Sequence, residues 1–335
     1  MRGIALAAIL LLQVLPVYAG DTEIRIALRA HSGIETSLTQ WQPTANYLSK
    51  AIPGYQFIMV PFQLNTALDQ AVSRGGFHFV LTNPSATVIT SMRYRTIPVA
   101  TLVNKRQGKG YTQFGSVVFT RADRKDIITF ADLKDKVFMA VDNLGFGGWQ
   151  VAWLELERNG IDPFVDFKEM RFAGGLQQKV VFAVRDGKVD AGSVRTDMLE
   201  RMAEKNEIML EDYRVLGLKH QQGFPFLLSS RLYPEWAMSK TNRVSDELGA
   251  KVLHALKTMP PEAEAAVTGK YIGWVNALDY SPVKELLRQL SVGPYQRTSD
   301  TLLTDALERY WLLVIVVLVV VILFTAGLVL LLQKK

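Results

Sequence analysis

The chain has no cysteine and only four histidines in 335 residues, and each shortage excludes a chemistry. Without cysteine there is no disulfide, no thiolate nucleophile and no Cys–zinc site, so stability has to come from an ordinary core. His31, His78, His220 and His254 stand far apart, no two at metal-ligand spacing, and HExxH is absent. GxSxG is absent as well, and the glycines at 145–148 are not followed by the Lys-Ser/Thr of a Walker loop. One SxxK occurs, from Ser281 to Lys284, without its SDN and KTG companions; Ser281 before Pro282 reads as a helix cap. Asp186 and Asp190 flank Gly187 in a turn, where carboxylates serve the turn itself. Neither an enzyme, a resident metal nor a cofactor is expected. Charge of one sign is also in short supply. The net +6 includes Arg2, Lys334 and Lys335, and without them 35 basic residues face 32 acidic ones. With no basic cluster, nucleic acid is not an expected partner, while a small anion is compatible.

What the chain does have is an uncharged apolar run at 311–332, WLLVIVVLVVVILFTAGLVLLL. About 20 such residues cross a bilayer as a helix. Lys334 and Lys335 favour the cytoplasmic side, and Tyr310 and Trp311 the opposite interface. At the other end, Arg2, a short apolar core at 4–14 and Val17-Tyr18-Ala19 read as a signal peptide over residues 1–19; an uncleaved N-terminal anchor is the alternative. The expected organisation is an exported domain over 20–296, a juxtamembrane helix over 297–310, the membrane helix and a cytoplasmic tail at 333–335. The exported part is long enough for two lobes of ordinary size.

Within it, strand and helix patterns alternate. Ile24, Ile26 and Leu28 mark a strand, a helix follows around 41–49, and a strand at 55–60 leads to a helix at 64–74. A short buried strand at 77–81 runs into Thr82-Asn83-Pro84-Ser85, a helix start with a capping residue before a first-turn proline. Strands at 99–103 and 114–119 come next. The alternation then restarts through 137–141, a glycine-rich turn at 142–148, a helix carrying Trp149 and Trp153, and later elements to 204. These patterns predict an α/β architecture, with lobe one over about 22–110 and 212–296 and lobe two over about 111–211.

Ligands of open α/β sheets gather where strand ends meet helix N-termini. Four turns fit: Arg29 to Gly33, Thr82 to Ser85, Asn143 to Gly148, and Ser193 to Thr196. Free N–H groups and the helix dipole would favour oxyanions there, with Arg29 and Arg195 adding charge-assisted bonds. Each has a plainer reading. The glycines form a tight turn, Arg195 is a surface charge, His31 is a loop residue, and Trp41, Trp149 and Trp153 belong to the core rather than to an aromatic cage.

Taken together, several stretches resemble the phosphonate-binding-protein (PhnD-like) family of type II periplasmic binding proteins, in the form found as the sensor region of membrane histidine kinases. They are Trp41-Gln42-Pro43 with Tyr47-Leu48, the run from Phe79 to Pro84, and that from Phe114 to Arg121. They continue with Asp142 to Gly148, Phe172 to Gly175, Val184 to Gly192, Val194 to Thr196 and Leu232 to Trp236. The resemblance implies two α/β lobes joined by a hinge and closing on a ligand. Carried over, it places Arg29, His31, Asn83, Ser85, Phe146, Gly147, Gly148, Arg195 and Thr196 in the cleft. Leu144-Gly145-Phe146 stands where phosphonate binders carry more Ser/Thr, which turns expectation towards phosphate or sulfur oxyanions as well as phosphonate.

The function expected is a membrane-anchored periplasmic sensor module that signals to a separate histidine kinase, or the sensor region of one. A tethered binding component delivering its solute to an ABC-transporter permease is the alternative. Self-association through the membrane helix is a further expectation.

Overall fold

The computed structural model describes residues 21–31 and 33–296. The expected signal peptide, juxtamembrane helix, membrane helix and tail lie outside them. No helix among the described residues is long and apolar enough to cross a membrane.

Lobe one begins with β1 (Thr22–Arg29), α1 (Ile34–Ala51), β2 (Tyr55–Phe62), α2 (Asn65–Ser73), β3 (Phe79–Thr82), α3 (Pro84–Tyr94), β4 (Ile97–Arg106) and β5 (Lys109–Tyr111). β1 pairs in parallel with both β2 and β3 and is covered on both faces, so Ile24, Ile26, Ala27 and Leu28 are all buried. α1 lays Trp41, Ala45 and Leu48 on the sheet at helical spacing. It starts seven residues before the expected helix, because its first turns are rich in Glu, Thr, Ser and Gln and show little apolar period. Pro43 sits inside it, removing one i→i−4 donor. Pro61 is tolerated because β2 is the sheet edge.

The chain crosses over through β6 (Gln113–Phe114) into lobe two. There it forms β7 (Ser116–Arg121), β8 (Val137–Ala140), α4 (Val151–Arg158), β9 (Glu169–Phe172), α5 (Gln177–Arg185), β10 (Ala191–Arg195), α6 (Met198–Glu204) and β11 (Tyr213–Val215). The sheet order is β11-β7-β10-β8-β9, with apolar clusters on each face. Residues 213–229 were expected back in lobe one, but they belong here. β11 pairs antiparallel with β7, and Ser229 exchanges hydrogen bonds with Ser116, Val118 and Leu216. Alternating apolar residues announce a strand without saying which sheet it joins.

The return runs through β12 (Tyr233–Pro234), β13 (Ala237–Lys240), α7 (Asp246–Lys257), α8 (Glu264–Gly269), β14 (Tyr271–Asn276) and α9 (Ser281–Gln289). β13 inserts antiparallel between β3 and β4, giving the order β14-β4-β13-β3-β1-β2. The two crossings pair as β6 and β12, and the Glu235 N–H donates to the Thr112 carbonyl at 2.8 Å. Behind this hinge α9 packs against α3 of lobe one and α4 of lobe two, sharing a cluster with Phe114 and Tyr233.

Candidate functional site

A cavity of about 840 Å³ opens between the lobes, lined from both sides of the hinge. Its floor on lobe one is the carboxyl edge of the sheet. Arg29, the last residue of β1, is 8% exposed, and its Nε donates to Asn65 Oδ1 at 2.7 Å. Its Nη1 is buried with no acceptor among the described residues. Burial draws the Arg29 pKa down, and Asp142 across the cleft opposes that shift; an arginine nevertheless stays charged. Asn83 also lines the cavity while capping α3, its Oδ1 accepting from the Ala86 N–H at 3.1 Å, and Pro84 takes the first helical position as expected.

The glycine-rich stretch of lobe two is helical rather than a loop. After Asp142 accepts from the Leu144 and Gly145 N–H groups, residues Phe146–Gln150 form a wide turn that runs directly into α4. Gln150 N–H bonds to the Gly145 carbonyl, five residues back, at 3.0 Å. The N–H groups of Phe146, Gly147 and Gly148 find no acceptor among the described residues. α1 and α5 also begin on the cavity without a side-chain cap. Thr36 in the first turn of α1 and Leu176 to Gln178 at the start of α5 thus share the cavity with the free N–H groups of 146–148, where positive dipole ends favour an anion. The two glycines have a packing reason too. A Cβ on Gly147 would lie 2.4 Å from the Phe114 ring, and one on Gly148 2.5 Å from Val141.

Arg195 lines the cavity but is not a free charge. Its Nη2 donates to Glu235 Oε1 at 2.7 Å, its N–H to Gln177 Oε1 at 2.9 Å, and its guanidinium lies 4.2 Å over the Phe114 ring. Glu235 is fully buried and also accepts from Asn104 Nδ2 at 2.7 Å. Beside them Asp197 holds Arg106 and, at 3.0 Å, Arg201. Burial alone would raise the Asp197 pKa, but Arg195, Arg106 and Arg201 hold it below the usual carboxylate range. Asn104, Arg106 and Glu235 lie on the lobe-one side and Arg195, Asp197 and Arg201 on the other, so this network ties the lobes together.

His31 faces the open cleft. Its ring meets Trp236 edge-on at 5.3 Å, and Trp236 stacks on Trp41 at 6.3 Å. The ring is exposed to the cleft, but the mass of protein on both sides of it, then Arg29, Arg195 and Arg201, draw the imidazole down to about 4. It is therefore neutral near pH 7. Trp41, 3% exposed, and Trp149, 1% exposed, are core residues, although Trp41 also forms part of the cavity wall.

Of the nine residues expected in the cleft, the structure gathers seven around this cavity: Arg29, His31, Asn83, Phe146, Gly147, Gly148 and Arg195. Ser85 is buried in the first turn of α3, away from the lining. Thr196 is fully buried, and its Oγ1 accepts from the Gly115 N–H at 3.0 Å, pinning the crossover. Sequence reasoning missed Asn65, Asn104, Arg106, Arg201, Glu235 and Trp236. The Asp197–Arg201 spacing of four on a helix was a readable signal; the contacts made through β4 were not. Among the described residues no cluster of His, Asp and Glu could hold a metal ion.

Residues 33–283 match the family described as the periplasmic substrate-binding protein of phosphonate ABC transporters. The chain is 33% identical over 273 residues to the tetrathionate sensor histidine kinase TtrS of Salmonella typhimurium, covering 81% of this chain and 44% of that protein. It therefore spans less than half the length of that relative. Among solved structures, a binding component of a Pseudomonas aeruginosa ABC phosphonate transporter superposes with a TM-score of 0.62 at 16% identity, over 86% of this chain and 95% of that one. PhnD1 of Prochlorococcus marinus, in complex with methylphosphonate, gives 0.61 at 13% identity, over 81% and 98%.

Proposed function

The chain belongs to the family of periplasmic phosphonate-binding proteins, and from that premise we propose that its interlobe cavity binds a small oxyanion whose capture is reported across the membrane. The observation that carries the reading is Arg29. A guanidinium nitrogen buried without an acceptor costs free energy unless a ligand satisfies it, and the uncapped helix N-termini share its cavity. Phosphonate, phosphate and sulfur oxyanions all present the acceptors this set of donors requires. The sequence relative is a tetrathionate sensor, so tetrathionate belongs among the candidates.

Sensing is favoured over delivery by the position of α9. It touches both lobes behind the hinge and leads to residue 296, beyond which lies the run at 311–332 that reads as a membrane helix. Lobe closure on a ligand would shift α3 and α4 relative to one another, and with them the route to the membrane and a partner kinase. Such a module is extracytoplasmic and single-pass. Delivery to a permease is the second reading, supported by the transporter proteins sharing the fold.

The test is a thermal-shift series on the full-length chain in detergent with sulfate, thiosulfate, tetrathionate, phosphate and methylphosphonate. A ligand at about 100 times its Kd should add about 2.7 kcal/mol. No shift with any of them removes the oxyanion reading. Co-purification with a kinase rather than with a permease then separates sensing from delivery.

A further inference from the structure

Lobe two carries an apolar face that no other described element covers. Phe164 is 59% exposed and Val165 76%, both in the loop between α4 and β9, and Phe172 at the end of β9 is exposed as well. These residues form one cluster. Phe164 meets Trp153 edge-on at 5.0 Å and Trp149 at 6.1 Å, Phe172 meets Trp149 at 5.7 Å, and the two tryptophans stack at 5.7 Å. Single exposed apolar residues are ordinary, but a contiguous patch marks a surface that something covers. Trp149 belongs to the Phe146–Gln150 turn, of which Phe146, Gly147 and Gly148 line the cavity, so the patch rests on the back of that turn.

The face lies on the side where the chain leaves the domain. Arg158, the last residue of α4 and six before Phe164, donates from Nη2 to Gln289 Oε1 of α9 at 3.4 Å. Gln296 follows only seven residues after Gln289, and Tyr295 packs on the same hinge cluster as Trp153. From there residues 297–310 span about 21 Å as a helix, or at most about 50 Å extended, before the apolar run at 311–332. As a helix they set Leu302, Leu303, Ala306, Leu307 and Tyr310 within one arc of about 140°. Thr301, Thr304, Asp305, Glu308 and Arg309 fall on the other side. Such a stripe is stable only when buried against a second apolar surface.

We propose that the apolar stripe of residues 302–310 docks on the face formed by Trp153, Phe164 and Val165, so that lobe two carries the stem. Two other occupants suit the stripe less well. Helices that lie on a membrane surface carry Lys and Arg on their polar face, whereas this one sets Asp305 and Glu308 against Arg309. A coiled coil with a second stem needs about three to four heptads, and residues 297–310 supply two. Within one chain, the short tether from Gln296 also gives the stripe a high effective concentration at the patch. The docking does not depend on which anion fills the cavity. It sets the stem on the aromatic rings that back the cavity turn, so a movement of that turn reaches the stem directly.

The chain has no cysteine, so introduced pairs report without background. In the full-length chain in lipid nanodiscs, Val165→Cys is combined with Leu303→Cys or Ala306→Cys on the stripe, or with Thr301→Cys or Glu308→Cys opposite it. Each is treated with a short bis-maleimide and mapped by peptide mass spectrometry. Links within one chain should form from the stripe at least about fivefold more than from the opposite side, following effective concentration. Adding Phe164→Ser should cut the stripe's links several-fold while thermal unfolding stays cooperative. Equal yields from both sides, or a yield that Phe164→Ser leaves unchanged, would overturn the docking. Links between two chains, seating the stem on a second copy, would overturn it as well, as would a stripe that links to nothing because lipid holds it.

Discussion

Arg195 of lobe two donates to Glu235 of the hinge at 2.7 Å, so the charge that reads from sequence as a ligand contact is already answered by the protein. On the oxyanion reading, Glu235 would compete with the ligand for Arg195. Glu235→Gln keeps the shape and an acceptor oxygen but removes the charge, and should tighten oxyanion binding several-fold in calorimetric titration. The fold should lose about 1–3 kcal/mol as a buried charged hydrogen bond is weakened, a fall of roughly 2–4 °C in Tm for each kcal/mol. Weaker binding in this variant would mean that Glu235 positions Arg195 rather than competing for it.

Arg29 should behave in the opposite way. Its Nη1 has no acceptor in the absence of ligand, so the folded state carries part of a desolvation cost. Arg29→Met should abolish or weaken oxyanion binding by more than tenfold while leaving Tm unchanged or higher, even with Asn65 Oδ1 losing its donor. A variant that loses stability as well as binding would assign Arg29 to the fold rather than to the site.

These opposed expectations mark what could and could not be read from the chain. Strand ends next to helix starts are local patterns, so Arg29, His31, Asn83 and the glycines at 147–148 were legible, and they meet in one cavity. Glu235 lies 40 residues from Arg195, and Arg106 lies 91 from Asp197. Pairs that distant are set by how the hinge strands align, which no local pattern encodes. The same holds for residues 213–229, whose strand pattern does not say that β11 pairs with β7 of lobe two. Ser85 and Thr196 lie close in sequence to the cavity-lining Asn83 and Arg195, but a helix start and a strand end send neighbouring side chains in different directions.

The neutral His31 carries a pH signature. Surrounding protein and then Arg29, Arg195 and Arg201 draw its pKa down towards about 4, below the ordinary histidine value near 6.5, although the ring is exposed to the cleft. Between those two values the unfolded chain binds more protons at this position, so its contribution to stability falls as pH drops from about 6.5 towards 4. Trp236 meets the ring edge-on, Asp197 and Glu235 are held by their own arginines, and Asp142 acts on Arg29. An anion in the cleft would screen the arginines and raise the His31 pKa. Affinity should therefore strengthen between pH 7 and pH 5, and His31→Gln should flatten the profile. Identical pH slopes for both proteins would place the proton elsewhere.

The last prediction concerns the route from cleft to stem. The Tyr280 hydroxyl donates to the Glu235 carbonyl at 2.7 Å and lies 3.1 Å from Thr101 Oγ1, and the next residue begins α9. The hinge residue that meets Arg195 is thus bonded to the residue that precedes the helix spanning both lobes. If closure is transmitted along this path, adding an oxyanion should change hydrogen-exchange protection of α9 amides around Leu286, Leu287 and Leu290, all buried against α3, α4 and the hinge. Tyr280→Phe removes one buried hydrogen bond at a cost of about 1 kcal/mol and replaces no residue of the cavity lining. Oxyanion affinity should stay within about twofold, an upper bound of about 0.4 kcal/mol, while the ligand-dependent change in α9 is lost. A variant in which α9 responds to ligand as before would show that lobe motion reaches the stem through the α3 and α4 contacts alone.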